Sequence, residues 1–438
     1  DKAFLNIKNS TQAYDVTFSG TNTVTGLAAN DTTNSNLFQV QTTEVTETSG
    51  KPVTVKETAD DGTENVIYEV KAPTELTNYV TLELVYGADV PAEVVTAAKA
   101  LYEGKQYETA KAANEAFMAL YGVGWVEREG GTSYLNVTDN NAPLRAYAAN
   151  ADAVKEVKYF IHGTLAGFTS LESDGNNIDC TVGGNHQIPR TSITITGVNN
   201  ADGSKAQLTD GNVQAYVAGG YANMFRTSGK LTIDNIEFTS TTSTTVGASA
   251  SADANATQPV SSAEMEIKNC VFRGRLYVYD NFQNVGKMTY NIHDNVFDGT
   301  NYNGDSNAYA IFAQCKGGDN LIIKDNEISG FARGINIDHA NITATIEGNT
   351  ISNTDPGRSC IQLSSLAKAE IKANTLTLNG GNALTLHEKL LKMTPASEIT
   401  VTGNTITGSG YLIYDDAAAN GKAFTSENLN FTFDDTNN

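Results

Sequence analysis

The chain is poor in the residues that would point to a chemistry at once. Of 438 residues only four are cysteine, and Cys180, Cys270, Cys315 and Cys360 form no Cys-x-x-Cys pair. In a chain of this length they imply no disulfide framework; they read as buried free thiols. The five histidines (His162, His186, His293, His339 and His387) never pair at metal-ligand spacing. Lysine and arginine total 29 against 50 acidic residues, a formal charge of −21. Such a balance disfavours electrostatic binding to nucleic acid or to an anionic membrane surface. It also disfavours a polyanionic substrate unless basic residues or a metal cluster locally. No apolar run reaches 18 residues, so no membrane-spanning segment is expected. Proline is limited to eight residues and tryptophan to one, whereas Gly, Asn and Thr abound. That composition suits many tight turns.

What is present is a phrase repeated seven times: an apolar residue, an asparagine two or three places on, and a second apolar residue five places after the first. It runs Ile233-Asp-Asn235-Ile-Glu-Phe238, Ile267-Lys-Asn269-Cys-Val-Phe272, Ile292-His-Asp-Asn295-Val-Phe297 and Ile323-Lys-Asp-Asn326-Glu-Ile328. It closes with Ile346-Glu-Gly-Asn349-Thr-Ile351, Ile371-Lys-Ala-Asn374-Thr-Leu376 and Val401-Thr-Gly-Asn404-Thr-Ile406. Successive phrases start 34, 25, 31, 23, 25 and 30 residues apart. A period in this range marks stacked units that bury their apolar faces against one another. The β-branched and aromatic residues, alternating and bounded by Gly, Asn and Asp, are strand signals. The asparagine is placed at a sharp turn, since Asn tolerates the left-handed region. Stacked about 4.8 Å apart, such asparagines can join their amides in a ladder; Asn295, Asn326, Asn349, Asn374 and Asn404 are its expected rungs.

A second short strand follows most phrases: Tyr309–Ala313, Gly334–Ile337, Cys360–Leu363, Ala383–Leu386 and Tyr411–Tyr414. Strand, Asn turn, strand, loop and strand make one coil of a right-handed parallel β-helix. A leucine-rich repeat is the rival solenoid, but its Leu-x-x-Leu-x-Leu skeleton is missing. On these residues the chain resembles the pectate-lyase-like β-helix superfamily from about Lys158 onward, and bacterial (Bacteroidetes-type) surface β-helix proteins of adhesin-like character. The likeness bears on fold far more than on activity, because one scaffold hosts several chemistries.

The coils are expected over residues 156–438, with a Ser/Thr/Ala-rich exposed insertion at 239–262. Residues 1–155 read as a β-rich N-terminal region, carrying an αα-hairpin at about 91–121 in which Val94, Ala98, Leu101 and Tyr102 share a face. Capping the solenoid end is the natural role for such a hairpin.

In the resembled superfamily, ligands lie along a groove over the strand that precedes the Asn turn. The resemblance therefore implies a groove lined by the outward residues of those strands: Phe312 and Gln314, Asn336 and Asp338, Gln362 and Ser364, Thr385 and His387. Asp415 is a candidate extension, and Arg333 and Arg358 are expected on the loops feeding two of the strands. This surface suits sugar hydroxyls. It does not complete a catalytic set: an inverting glycosidase needs two carboxylates about 6.5–9.5 Å apart, and only Asp338 is in the column, with Asp355 nearby. The polygalacturonase pattern is not reproduced; Asn353-Thr354-Asp355 and Asp415-Asp416 match parts of it only by letters. Were the chain an enzyme, a polysaccharide lyase or glycoside hydrolase, its catalytic residues would come from Asp338, Asp355, Arg333, Arg358 and His387, with Lys316 a further base. The best metal candidate is the loop with Asp298, Asn301, Asn303 and Asp305, whose alternating oxygen donors suit Ca²⁺; without the acidic density of an EF-hand loop it reads first as an ordinary Asn/Gly turn, and no cofactor is expected.

These features point to a non-catalytic β-helix, adhesin-like or glycan-binding, with a polysaccharide or a cell-surface glycan as partner and neither nucleic acid nor a membrane span involved. By association with other exported solenoids it belongs on the outside of a bacterial cell. Asp1 reads as the start of a mature chain whose export or lipoprotein signal lies elsewhere.

Overall fold

An alternating strand broken by one left-handed residue becomes two short strands meeting at a corner, and this corner is what the chain repeats. The computed structural model describes residues 2–6, 14–18, 23–27, 37–41, 53–58, 61–70, 76–102, 104–109, 112–113, 116, 123–128, 131–136, 154–166, 192–209, 216–217, 220–221, 225–227, 230–239, 243–248, 262–280, 287–302, 309–315, 320–352, 355 and 358–438. The chain divides into two compact units, residues 1–76 and 77–438. The first holds an antiparallel pair, Lys2–Asn6 with Leu37–Gln41, and a four-stranded antiparallel sheet of Thr23–Leu27, Tyr14–Phe18, Val53–Thr58 and Glu64–Val70.

The second unit contains a right-handed parallel β-helix with three strand stacks. The first sheet has eleven strands. Ten are parallel, running from Val154–His162 through Lys287–His293 and Asn320–Lys324 to Leu429–Phe433. The eleventh, Tyr79–Tyr86, pairs antiparallel with Val154–His162 and occupies the edge at that end. The helix Ala92–Tyr102 starts just after Pro91, which suits a first helical turn, and buries Ala98. Ala112, Ala113 and Ala116 are helical as well. The sequence reading passed over the antiparallel hairpin Val123–Arg128 with Gly131–Asn136. Among the described residues no helix is long and apolar enough to cross a membrane.

The second stack follows each corner, as in Ile236–Phe238, Val296–Asp298 and Thr350–Ser352. The third comprises Phe225–Thr227, Ser243–Ala248, Arg275–Asp280, Tyr309–Cys315, Arg333–Asp338 and Ser359–Ser365. Two long strands, Thr375–Leu386 and Thr405–Asp415, run through both stacks and join them into one sheet. Ser243–Ala248 corrects the insertion expected at 239–262: its small residues form a coil strand, parallel to Phe225–Thr227 and Arg275–Asp280. Residues 249–261 lie outside the described ones.

Identical positions of the phrase stack in register. Ile233, Ile267, Ile292, Ile323, Ile346, Ile371 and Val401 form one fully buried row. Phe238, Phe272 and Phe297 stack with ring centroids 4.8 Å apart, which is the strand spacing itself.

The asparagines divide into two kinds. The left-handed residue stands two places after the first apolar residue in all seven phrases: Asn235, Asn269, Asp294, Asp325, Gly348, Ala373 and Gly403, with φ between 51° and 69°. Only in the first two phrases is it the asparagine. In the other five the asparagine comes one residue later and turns inward, so the expectation that left-handed tolerance explains it is corrected: these asparagines serve the ladder. Asn295, Asn326, Asn349, Asn374 and Asn404 are buried. Each side-chain Nδ2 donates to the next rung's Oδ1, at 2.8–3.0 Å, and back to an isoleucine carbonyl of the preceding coil. Each Oδ1 also accepts the backbone N–H of the residue one coil earlier, beginning with Cys270. From Asn326 to Asn404 both donors and both acceptor positions of the buried amide are thus filled. A sixth rung, Asn437, accepts from Asn404 and donates to Val401 and Asp434; it follows the last strand, Leu429–Phe433.

Two stability predictions follow from the ladder and the corner. Asn349→Ala strands both donors of Asn326 and the carbonyl of Ile323 in the core, and is expected to cost about 3 kcal/mol or more. Asn430→Ala, exposed on the last strand, should stay within about 0.5 kcal/mol; denaturant midpoints compare the two. Ala373 holds a Cβ at φ 55°, so Ala373→Gly should stabilise by about 1 kcal/mol, read as a raised midpoint.

Candidate ligand-binding site

Around the outer side of the third stack the repeat gives way to a polar surface. Phe312, Asn336, Gln362, Thr385 and Tyr414 stand in one row, in register across five coils. A neighbouring row stands three residues earlier in the chain, with Tyr309 beside Arg333, and Ser359, Asn382 and Tyr411 in line. A pocket of about 470 Å³ opens on these rows. Arg333, Arg358, Gln362, Thr385 and His387 line it together with Ser359, Asn382, Tyr411, Tyr414 and Asp416. The first five were read from sequence; the other five were missed. Tyr411 and Tyr414 depend on the register of the strand Thr405–Asp415, which its Tyr-Leu-Ile-Tyr pattern leaves ambiguous. Asp416 belongs to the short helix Asp416–Ala419, beyond any alternation rule.

Side-chain hydrogen bonds knit the rows together. Gln362 Nε2 donates to Ser364 Oγ at 3.0 Å, and Ser364 Oγ to Asn336 Oδ1 at 3.0 Å. Ser359 and Thr385 share a hydroxyl bond of 2.5 Å. Asn336 and Ser364 are nearly fully buried, so they support the pocket from beneath; the sequence reading had them lining an open groove. Phe312 stacks on Tyr277 and Tyr309, and Gln314 accepts the Tyr277 hydroxyl at 2.7 Å. These two residues lie away from the pocket wall.

The candidate acid and base residues are engaged elsewhere. A register shift after Ile337 sets Asp338 opposite Ser365 instead of Ser364. There its carboxylate accepts from Lys389 Nζ at 2.6 Å and Ser365 Oγ at 3.0 Å. Asp355 faces Arg358 at 3.8 Å. Arg333 is the first residue of its strand, not a loop residue. Its guanidinium lies 4.9 Å over the Tyr309 ring and donates to the Tyr309 hydroxyl. Burial holds that phenol above its ordinary pKa despite the arginine. His387 Nδ1 accepts the backbone N–H of Lys389 at 3.1 Å and caps the turn Glu388–Lys392. That bond places the neutral ring's proton on Nε2, which faces Asp416 Oδ2 at 3.7 Å. Asp416 Oδ2 also accepts from the backbone of Glu388 at 3.2 Å. Asp415 caps the helix Asp416–Ala419 through Ala418 N at 2.9 Å, so it does not extend the row. Lys316 lies outside the described residues.

In the proposed calcium loop, Asp298 is already occupied by Arg273 and by the backbone and hydroxyl of Thr300; hydrogen bonds to Thr300 hold its carboxyl below the ordinary range, with Arg273 adding to the effect. Asn301 is exposed, and Asn303 and Asp305 lie outside the described residues. Among the described residues, no group of three or more His, Cys, Asp or Glu is placed to hold a metal ion.

Residues 266–431 match the family model described as "Periplasmic copper-binding protein (NosD)". Neither the comparison with curated proteins nor that with solved structures gives a match.

The soft donors of that span are dispersed. Cys270, Cys315 and Cys360 are each buried at 1% exposure or less, and their sulfurs face backbone carbonyls such as Lys268 O, Val278 O and Ile351 O. Met288 and Met393 are also buried. His293 bonds Glu266 and Asp294. Burial pushes the Cys270 thiol up to about 12, so it stays protonated at neutral pH and the reactive thiolate is scarce. In a Cys180→Ser background the native protein is therefore expected to give no reaction with Ellman's reagent at pH 8, and three thiols after denaturation.

Proposed function

We propose that this chain is a non-catalytic, carbohydrate-binding β-helix that works outside the cytoplasm, taking a sugar chain into the pocket of the third stack. The supporting observation is the pocket itself. Its volume falls in the range of small-ligand sites. Amides from Gln362 and Asn382, hydroxyls from Ser359 and Thr385, and two guanidinium groups supply the directional bonds that sugar hydroxyls require. At the rim Tyr411 is 66% exposed and Tyr414 36%; such rings offer apolar faces to a sugar ring while keeping a polar tip in water. The word "periplasmic" in the matched family's name supports a location beyond the inner membrane or at the cell surface.

The chemistry of the lining favours binding over turnover. It contains one carboxylate, Asp416, which already accepts a backbone N–H and faces His387. Hydrolysis by either glycosidase geometry needs two. His387 has one nitrogen spent on a cap and the other turned toward Asp416, which leaves it poorly placed as a general base.

The matched family's name also includes copper. Thiolate, thioether and imidazole are the ligands that copper selects. In the matched span these donors lie singly, mostly in the core, so they do not fit a copper site and no step here passes through the metal.

On a glycan array the wild-type protein should bind, and both Tyr411→Ala and Gln362→Ala should weaken that binding at least tenfold with the fold retained by circular dichroism. Polysaccharide incubations monitored at 235 nm and for reducing ends should stay flat. Turnover abolished by Asp416→Ala would overturn the non-catalytic reading.

A further inference from the structure

The pocket carries a charge opposite to that of the chain around it. The whole protein is at −21, yet two arginines, Arg333 and Arg358, meet in one pocket. The carboxylates near them are already taken. Asp338 pairs with Lys389 at 2.6 Å, Asp355 with Arg358 at 3.8 Å, and Asp416 faces His387 at 3.7 Å. Arg333 has no carboxylate among these. Its one hydrogen bond, to the Tyr309 hydroxyl, leaves Nε buried without a partner among the described residues. A buried, unmatched guanidinium N–H is costly, and the group that best fits a guanidinium fork is a carboxylate.

We infer that the pocket recognises a single acidic sugar, its carboxylate set between Arg333 and Arg358, on a glycan that is otherwise neutral. This rests on the carbohydrate-binding reading and deepens it. The neutral part of the ligand meets Gln362, Asn382 and the rim tyrosines, which carry no charge. A polyanionic chain is disfavoured, because each further acid would leave the pocket for the field of a strongly acidic protein. With Asp355 beside Arg358 and Asp416 in the lining, the two guanidinium groups leave a local surplus suited to anchor one charge and too small to neutralise a run of them.

The test uses the full chain on an array of paired glycans, each acidic member printed beside its carboxyl-reduced form, with polygalacturonate included. The best pair is then followed by titration calorimetry. The acidic member should bind at least tenfold tighter than its reduced partner, and tighter per site than polygalacturonate. Arg333→Ala and Arg358→Ala should each cut the preference to about twofold, whereas Gln362→Ala should weaken both members alike; circular dichroism and thermal midpoints confirm that each variant is folded. Equal binding of acidic and reduced members overturns this inference and leaves carbohydrate binding standing. Strongest binding to polygalacturonate overturns the single-charge assignment. No binding to any glycan removes both readings together.

Discussion

The fold depends on one constraint: a buried primary amide has four hydrogen-bonding capacities, and in this tower of parallel strands they are filled by copies of itself on neighbouring coils together with the backbone beside them. Each rung from Asn326 to Asn404 takes two acceptances from the coil before, a backbone N–H and a side-chain amide, and Asn295 takes the backbone N–H of Cys270. Each rung gives one donation forward and one back. An amide left unmatched in such a core costs about 2–7 kcal/mol, so a slip of the stack by one residue is penalised at every rung at once. The isoleucine row and the aromatic and aliphatic residues around it supply the burial, but apolar contact is non-directional and would tolerate a shifted stack. The amides fix the register, and the register brings Arg333, Gln362 and Thr385 together.

Most of the fold was legible because its determinant recurs. Seven copies of one phrase announce a stack, and the alternation around Ile335 and Ile361 tells which residues face outward. What was illegible is whatever the period does not carry. Asn437 follows its last apolar partner Phe433 by four residues, one more than the usual spacing, so the phrase conceals it. Asn235 and Asn269 look like rungs and serve as corners, because the letter Asn suits both roles and only its position by one residue separates them. Ser243–Ala248 has the small, hydroxyl-rich composition of an exposed loop but finds strand partners on both sides.

The site shows the same division. The row through Asn336, Gln362 and Thr385 follows from alternation alone. The row through Ser359, Asn382 and Tyr411 lies three residues earlier, and Asn382 and Tyr411 fall inside long continuous strands that the short-strand pattern of the sequence does not announce. The bulge beside Ile337 moves Asp338 out of line with Ser364. The residue most attractive as an acid is thereby handed to Lys389, which no local pattern connects to it. Histidine illustrates the difference between a reactive group and a structural one: His387 borders the pocket, but its ring is committed to ending one strand and starting a turn.

The row arrangement also makes the ligand a mechanical element. In a solenoid, each coil holds only the ones directly above and below, so thermal opening proceeds by peeling from an extremity. Arg333, Ser359, Asn382 and Tyr411 belong to four consecutive coils, the last of them carrying the highly exposed strand Thr405–Asp415. A molecule seated across them acts as a strap over successive layers, as the Asp338–Lys389 pair already does over part of the same span. Occupancy favours the wound state by mass action, and the region that grips the guest is the one whose unwinding the guest restrains.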